Sequence, residues 1–167
     1  MYLPLWLWIV FVVVGGIAWI AQKVFVQPGL EQKEKDCISQ GLAKERDPYL
    51  MRQLHTYYLS REIPVGQVLE RIDLSFLQQH LVKWHVGIAK EKLFMETGNL
   101  EAIMAFQAVF QEGSQKNGKI YQVAVTCLKG DSQATKLYRL PYNIFLTHIE
   151  AVLKELDPDV EVERKLI

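Results

Sequence analysis

The chain has 167 residues, half of them hydrophobic, and its 19 basic and 19 acidic side chains give a formal net charge of zero. This balance excludes the concentrated positive charge with which proteins bind nucleic acids. Cys37 and Cys127 lie far apart and outside any CxxC or histidine-rich motif, so neither metal binding nor redox chemistry is indicated. The part that follows the N-terminal apolar segment, about 140 residues, is sufficient for one domain.

The N-terminal segment carries the strongest signal. No charged residue occurs between Met1 and Ala21, and a helix of this length, rising about 1.5 Å per residue, spans the roughly 30 Å hydrocarbon core of a bilayer. Aromatic side chains, which favour the headgroup regions, lie toward both ends. We therefore predict a transmembrane anchor over residues 1–22. The predicted membrane-interface residues are Tyr2, Trp6, Trp8, Trp19 and Lys23.

The lysines next to the anchor predict its orientation. None precedes the anchor, whereas Lys23, Lys33 and Lys35 follow it, and positive charge favours the cytoplasmic side. We therefore expect the N-terminus outside and the C-terminal domain in the cytoplasm. The alternatives are an inverted topology or an export signal cleaved near Gly16-Ile17-Ala18. The missing basic residue before the apolar run argues against such a signal.

The middle of the chain has helical periodicity. Residues 23–46 are charged and rich in helix formers, which predicts a membrane-proximal helix or stalk. Apolar residues then recur at helical spacing over residues 47–112, and about four helices are predicted there. Their apolar faces are Leu50, Leu54, Tyr57 and Tyr58; Val65, Val68, Leu69 and Ile72; Leu77, Leu81, Trp84 and Ile88; and Leu100, Ile103, Phe106 and Phe110.

The period changes from 3.6 to 2 in residues 119–167. Alternating residues in "KIYQVAVTCL" predict a strand, with "TKLYRLPY" as its antiparallel partner. Asn143 is the predicted N-cap of a helix that ends at Asp157-Pro158. The last segment, "VEVERKLI", predicts an edge strand with charged side chains.

Residues 119–167 are thus expected to form a small antiparallel ββαβ unit. Because helices and strands are segregated along the chain, the predicted soluble domain, residues 47–167, is α+β. The predicted order of the whole chain is a transmembrane helix, a helical segment of about four helices and the ββαβ unit.

No motif specifies a catalytic or cofactor site. The stretch "GSQKNGKI" matches the phosphate-binding pattern GxxxxGK[ST] until Ile120 replaces the hydroxyl residue, and a helix rather than a strand is predicted before it. The four histidines lack metal-ligand spacing. We therefore predict no cofactor, metal or nucleic-acid partner. Enzymatic activity is left open, with a non-enzyme favoured.

These features predict a single-pass membrane protein that acts by binding protein, as an accessory or assembly subunit of a larger membrane complex. Its expected partners are the lipid bilayer and other proteins of that complex. Aromatic residues suit both interfaces and cores, and the candidate partner-binding residues are Tyr49, Tyr57, Tyr58 and Trp84. One alternative is a membrane-tethered enzyme or small-ligand-binding domain with a site between helices and sheet. Another is an exported domain with a cleaved signal.

Overall fold

A computed structural model of the chain describes residues 5–21, 27–81, 84–90, 92–97, 105–111, 121–127 and 135–167. The chain divides into two units, residues 1–41 and 42–167. The first unit contains helices α1 (Leu5–Ala21) and α2 (Gln27–Ser39), which lie within the segments predicted as anchor and stalk. Of the helices in the described residues, none is both long enough and apolar enough to cross a membrane.

The second unit is an α+β domain built on an antiparallel sheet, which confirms the predicted fold class at this level. In its described residues the elements are a 3-10 turn (Leu50–Arg52), β1 (Gln53–Leu59), α3 (Val65–Glu70), α4 (Leu74–His80), β2 (Trp84–Ala89), β3 (Lys92–Thr97), β4 (Ala105–Gln111), β5 (Tyr121–Cys127), α5 (Thr135–Leu156) and β6 (Glu161–Leu166). These six strands lie in the order β2-β3-β4-β5-β1-β6, and each pairing is antiparallel. Strand β1 is therefore internal and β6 is an edge strand.

One face of the sheet forms the core against α5. In β4, Phe106, Ala108 and Phe110 are fully buried, whereas the intervening residues Gln107 and Val109 are half-buried. Alternate residues of a strand point to opposite faces, so β4 has a core face and a more open face. Helix α5 covers the core face with a stripe of apolar side chains. Its buried apolar residues are Tyr142, Ile144, Phe145, Leu146, Ile149, Val152, Leu153 and Leu156.

Helix α4 packs beside α5 through polar and aromatic contacts. Asp73 is the N-cap of α4, with its side chain accepting a 2.8 Å hydrogen bond from the Phe76 amide. The Asp73 amide donates to His148 Nε2 at 3.1 Å, and the Phe76 ring stacks on the His148 ring with centroids 5.1 Å apart. One histidine of α5 thus fixes the start of α4.

The structure corrects three of the helices predicted from the sequence. The segment 53–59, expected in the first helix, is strand β1. The third predicted helix ends at His80, and Trp84 begins strand β2. The segment 105–111 is strand β4, while the earlier part of that predicted helix, residues 100–104, lies outside the described residues. Short apolar runs satisfy both periods, and pairing with neighbouring strands decides the outcome.

The predicted ββαβ unit is also wrong. The stretch "TKLYRLPY", expected as a second strand, opens helix α5, so Asn143 lies inside that helix and is not its N-cap. Strand β5 pairs with β1 and β4 instead. The strands β5 and β6, the short helix α3 and the end of α5 before Asp157-Pro158 agree with the sequence prediction.

We expect Phe106→Ala to lower the free energy of unfolding by about 3–5 kcal/mol, because truncation leaves a cavity in the core. The Phe106 ring is fully buried, and its centroid lies 5.1 Å from Trp84 and 4.7 Å from Tyr142. Urea unfolding followed by circular dichroism would measure the loss. The control is Gln107→Ala on the opposite face, with an expected change within about 0.5 kcal/mol. Equal losses would contradict the assigned strand faces.

Candidate functional site

A cleft of about 210 Å³ lies at the meeting point of α5, β1, β6 and the segment that precedes β1. Its lining contains four basic and two acidic side chains, a net charge of +2. Concave sites with convergent polar groups are preferred places for ligand binding, so we take this cleft as the candidate site. Its lining residues are Lys44, Glu45, Arg46, Tyr57, Glu150, Lys154, Val160, Val162 and Arg164.

Glu150 is the central residue of the cleft. Its Oε1 atom accepts hydrogen bonds from Tyr57 OH and Arg46 Nη1, both at 2.8 Å. Its Oε2 atom accepts from Arg46 Nη2 at 2.8 Å and from Lys44 Nζ at 2.6 Å. A carboxylate has about four acceptor positions. The carboxylate of Glu150 is therefore fully hydrogen-bonded by the protein.

The protonation states follow from this geometry. Burial raises the pKa of Glu150, but hydrogen bonds and charge from Arg46, together with hydrogen bonds from Lys44 and Tyr57, lower this pKa to about 2. Burial and the neighbouring Glu150 carboxylate raise the pKa of Tyr57 far above its usual value. Near neutral pH, Glu150 is a carboxylate and Tyr57 a phenol. Neither has the pKa near 7 that suits a general acid or base.

Helix α5 also holds the segment that precedes β1. Asn143 Oδ1 accepts from the Lys44 amide at 3.3 Å and from Arg46 Nε at 3.2 Å, and Asn143 Nδ2 donates to the Lys44 carbonyl at 2.8 Å. Arg139 donates to the carbonyls of Arg46 and Asp47 at 2.8 and 2.7 Å. Because backbone as well as side-chain groups are bound, the positions of Lys44 and Arg46 in the cleft are fixed.

His55 lies on β1, opposite Arg164 of β6. Its ring is fully buried, and neither ring nitrogen has a hydrogen-bond partner among the residues that the structure describes. Burial, followed by the positive charges of Arg46 and Arg164, lowers the pKa of His55 to about 4, while Glu150 acts more weakly in the opposite direction. His55 is therefore neutral near pH 7.

The predicted partner-binding aromatic residues do not form a common surface. Tyr57, Tyr58 and Trp84 are buried, whereas the side chain of Tyr49 is 58% exposed. Tyr57 binds Glu150 in the cleft, Tyr58 OH donates to Glu163 at 2.8 Å, and Trp84 packs in the core. Partner binding by these residues stays a prediction, with Tyr49 the accessible member of the set.

The predicted membrane-interface residues lie in or next to α1. Trp8 and Trp19 are 60% and 59% exposed on this helix. Trp6 also belongs to α1, whereas Tyr2 and Lys23 lie outside the described residues.

Sequence analysis missed Glu150, Arg46 and Lys44. Arg46 and Glu150 are 104 residues apart in the chain, and no local pattern relates them. One signal was available: Glu150 continues the helical spacing of the buried residues Leu146, Ile149 and Leu153. A charged residue within an apolar stripe requires a buried partner, but the stripe does not reveal which residue that partner is.

No protein-family model matches the chain, and no curated protein matches it either. Within the described part of the chain, no group of three or more histidine, cysteine, aspartate or glutamate residues could hold a metal ion.

We expect Glu150→Gln to lower the free energy of unfolding by about 3–5 kcal/mol, because it leaves the cationic side chain of Arg46 buried without its carboxylate. The Arg46 and Glu150 side chains are 6% and 9% exposed. Urea unfolding at pH 7 would measure the effect. The matched control on α5 is Glu155→Gln, which removes a surface ion pair with Arg71 and is expected to cost at most about 1 kcal/mol. Similar losses in both variants would contradict the central role of Glu150.

The low pKa of His55 predicts acid sensitivity. Its pKa falls from 6.5 to about 4 on folding, so the folded state binds the proton more weakly than the unfolded state. As the pH falls from about 6.5 to about 4, the unfolded state takes up the proton first. The free energy of unfolding therefore decreases over this range, in total by about 3 kcal/mol. Urea unfolding across this range should show a shallower loss for His55→Leu than for the wild type.

His148 does not obscure this comparison. Burial lowers the pKa of His148 and the negative charge of Asp73 acts in the opposite direction, and both effects are the same in the wild type and in His55→Leu. Parallel pH profiles for the wild type and His55→Leu would show that His55 is not the responsible group.

Proposed function

We propose that this chain is a membrane-anchored protein-interaction module, an accessory or assembly subunit of a larger membrane complex. One observation carries the proposal: ten large apolar side chains of α1 are exposed, with exposed fractions between 47% and 71%. A helix that is hydrophobic on all sides is stable when apolar material surrounds it. The exposed residues are Trp8, Ile9, Val10, Phe11, Val12, Val13, Val14, Ile17, Trp19 and Ile20.

A bilayer is the apolar environment that best suits this helix. Helix α1 has 17 residues, a length of about 25 Å at about 1.5 Å per residue. The uncharged run in the sequence continues beyond both ends of α1, from Met1 to Gln22. The lysines after the run support a cytoplasmic position for residues 42–167.

The domain that follows supports a role in protein binding rather than catalysis. Its buried carboxylate, Glu150, is held by Arg46, Lys44 and Tyr57 and has a pKa of about 2, which does not suit proton transfer near pH 7. Exposed tyrosines are common contact residues in protein interfaces. Tyr49 is exposed and directly precedes the 3-10 turn that leads into β1. The proposed partners are other proteins of the same membrane complex.

Extraction of membranes at alkaline pH tests the anchor. We expect the full-length chain, tagged at Ile167, to remain in the membrane pellet. Replacing both Val12 and Val14 with arginine should release it, because each arginine at the centre of a span costs about 2.5–3.5 kcal/mol. The control is Glu31→Arg, at an exposed position on α2. This variant should stay in the pellet. Release of the wild type would contradict the anchor.

Purification in mild detergent tests the interaction role. We expect membrane proteins to co-purify in fixed stoichiometry with bait of full mass. Tyr49→Ala should weaken their recovery about tenfold, as for an interface hot spot. Both should be quantified by mass spectrometry. A monomeric bait that binds no protein would contradict the proposal, and a bait truncated near Ala18 would indicate a cleaved signal.

A further inference from the structure

We infer that the cleft beside Glu150 binds a phosphate group. The inference goes beyond the proposed function and does not depend on the membrane anchor. It starts from the four cationic side chains that line the cleft, Lys44, Arg46, Lys154 and Arg164. Two of them are committed to Glu150: Arg46 binds both of its oxygens, and Lys44 binds Oε2.

Among the residues that the structure describes, the other two cations lack a carboxylate partner. The four acceptor positions of Glu150 are occupied by Tyr57, Lys44 and the two bonds from Arg46, so this carboxylate cannot also bind Lys154 or Arg164. Neither cation forms an ion pair with any residue in the described ranges. Glu45, the second acid of the lining, is exposed and likewise makes no ion pair there.

The two cations converge on one space from different elements. Lys154 lies one helical turn after Glu150 on α5, and Arg164 lies on β6. Together they provide two positive charges, which match a phosphate group of about −1.5 to −2 near pH 7. The planar guanidinium of arginine binds phosphate oxygens in pairs, and the lysine ammonium adds a point charge. Glu150 does not repel the ligand, because Arg46 and Lys44 compensate its charge.

The size and the walls of the cleft limit the ligand. A volume of about 210 Å³ is several times the roughly 30 Å³ of a water molecule and lies below the roughly 300–1,000 Å³ of pockets for drug-sized molecules. Val160 and Val162 line one part of it and suit the carbon atoms of a small ester. The fitting ligands are inorganic phosphate and small phosphate monoesters, whether free or as the headgroup of a lipid.

Thermal unfolding of the full-length protein in dodecyl maltoside tests the site. Inorganic phosphate is titrated against sodium chloride at matched ionic strength, at pH 7.5. For a Kd of about 1 mM, 50 mM phosphate should raise the melting temperature by about 5 °C. Arg164→Gln and Lys154→Gln should each abolish most of this rise. The control is Lys165→Gln, which removes an adjacent charge of β6 whose side chain points to the other face of the strand, and it should keep the rise.

A direct binding measurement protects the test from effects on folding. Lys154 and Arg164 are exposed, so their replacement is expected to leave the fold intact, and equilibrium dialysis with radiolabelled phosphate should show saturable binding by the wild type and Lys165→Gln but not by the two site variants. Glycerol 3-phosphate and short-chain phosphatidate, compared in the same assay, distinguish a free ester from a lipid headgroup. Absence of saturable binding, or equal losses in all three variants, would overturn the inference.

Discussion

The buried ion pair between Arg46 and Glu150 is the interaction on which the domain of residues 42–167 depends. Removing two charges from water is costly, and the cost is offset only when both groups are fully hydrogen-bonded. Arg46 provides two bonds to the carboxylate, and Lys44 and Tyr57 complete its coordination. Because the partners come from α5, from β1 and from the segment before β1, their bonds restrict how the helix can lie on the sheet.

A second contact secures the other end of the same interface. Asp157, just after α5, accepts hydrogen bonds from the Ser60 amide at 2.5 Å and the Ser60 hydroxyl at 2.8 Å, just after β1. The connection between β1 and α5 is thus made at Tyr57 within the strand and again at Ser60 just after it, and β1 lies between β5 and β6 in the sheet. The proposed phosphate site lies between these bound elements. Its cations therefore project from a framework that is already ordered before a ligand binds, which reduces the entropic cost of binding.

The two units of the chain present different surfaces to their surroundings. Helix α1 exposes apolar side chains, and this exposure is the basis of the proposed membrane association. In its described part, the domain buries most of its large apolar side chains between sheet and helices, and Lys154 and Arg164 of the cleft form no ion pair with a carboxylate there. The residues of the proposed anchor lie in residues 1–41 and those of the proposed phosphate site in residues 42–167. A substitution in one unit therefore tests one proposal without changing the residues of the other.

The sequence by itself determined the elements with one unambiguous period or composition: the uncharged segment of α1, the short helix α3, the alternating strand β5, the charged edge strand β6 and the apolar stripe of α5 before Asp157-Pro158. Only the tertiary structure decided that β1 and β4 are strands. Phe106 and Phe110, for example, are spaced for a helix and also alternate as in a strand, and pairing with distant strands selects the second. Long-range contact likewise decided the site, because Glu150 meets Arg46 across 104 residues of chain and local patterns carry no record of such a pairing.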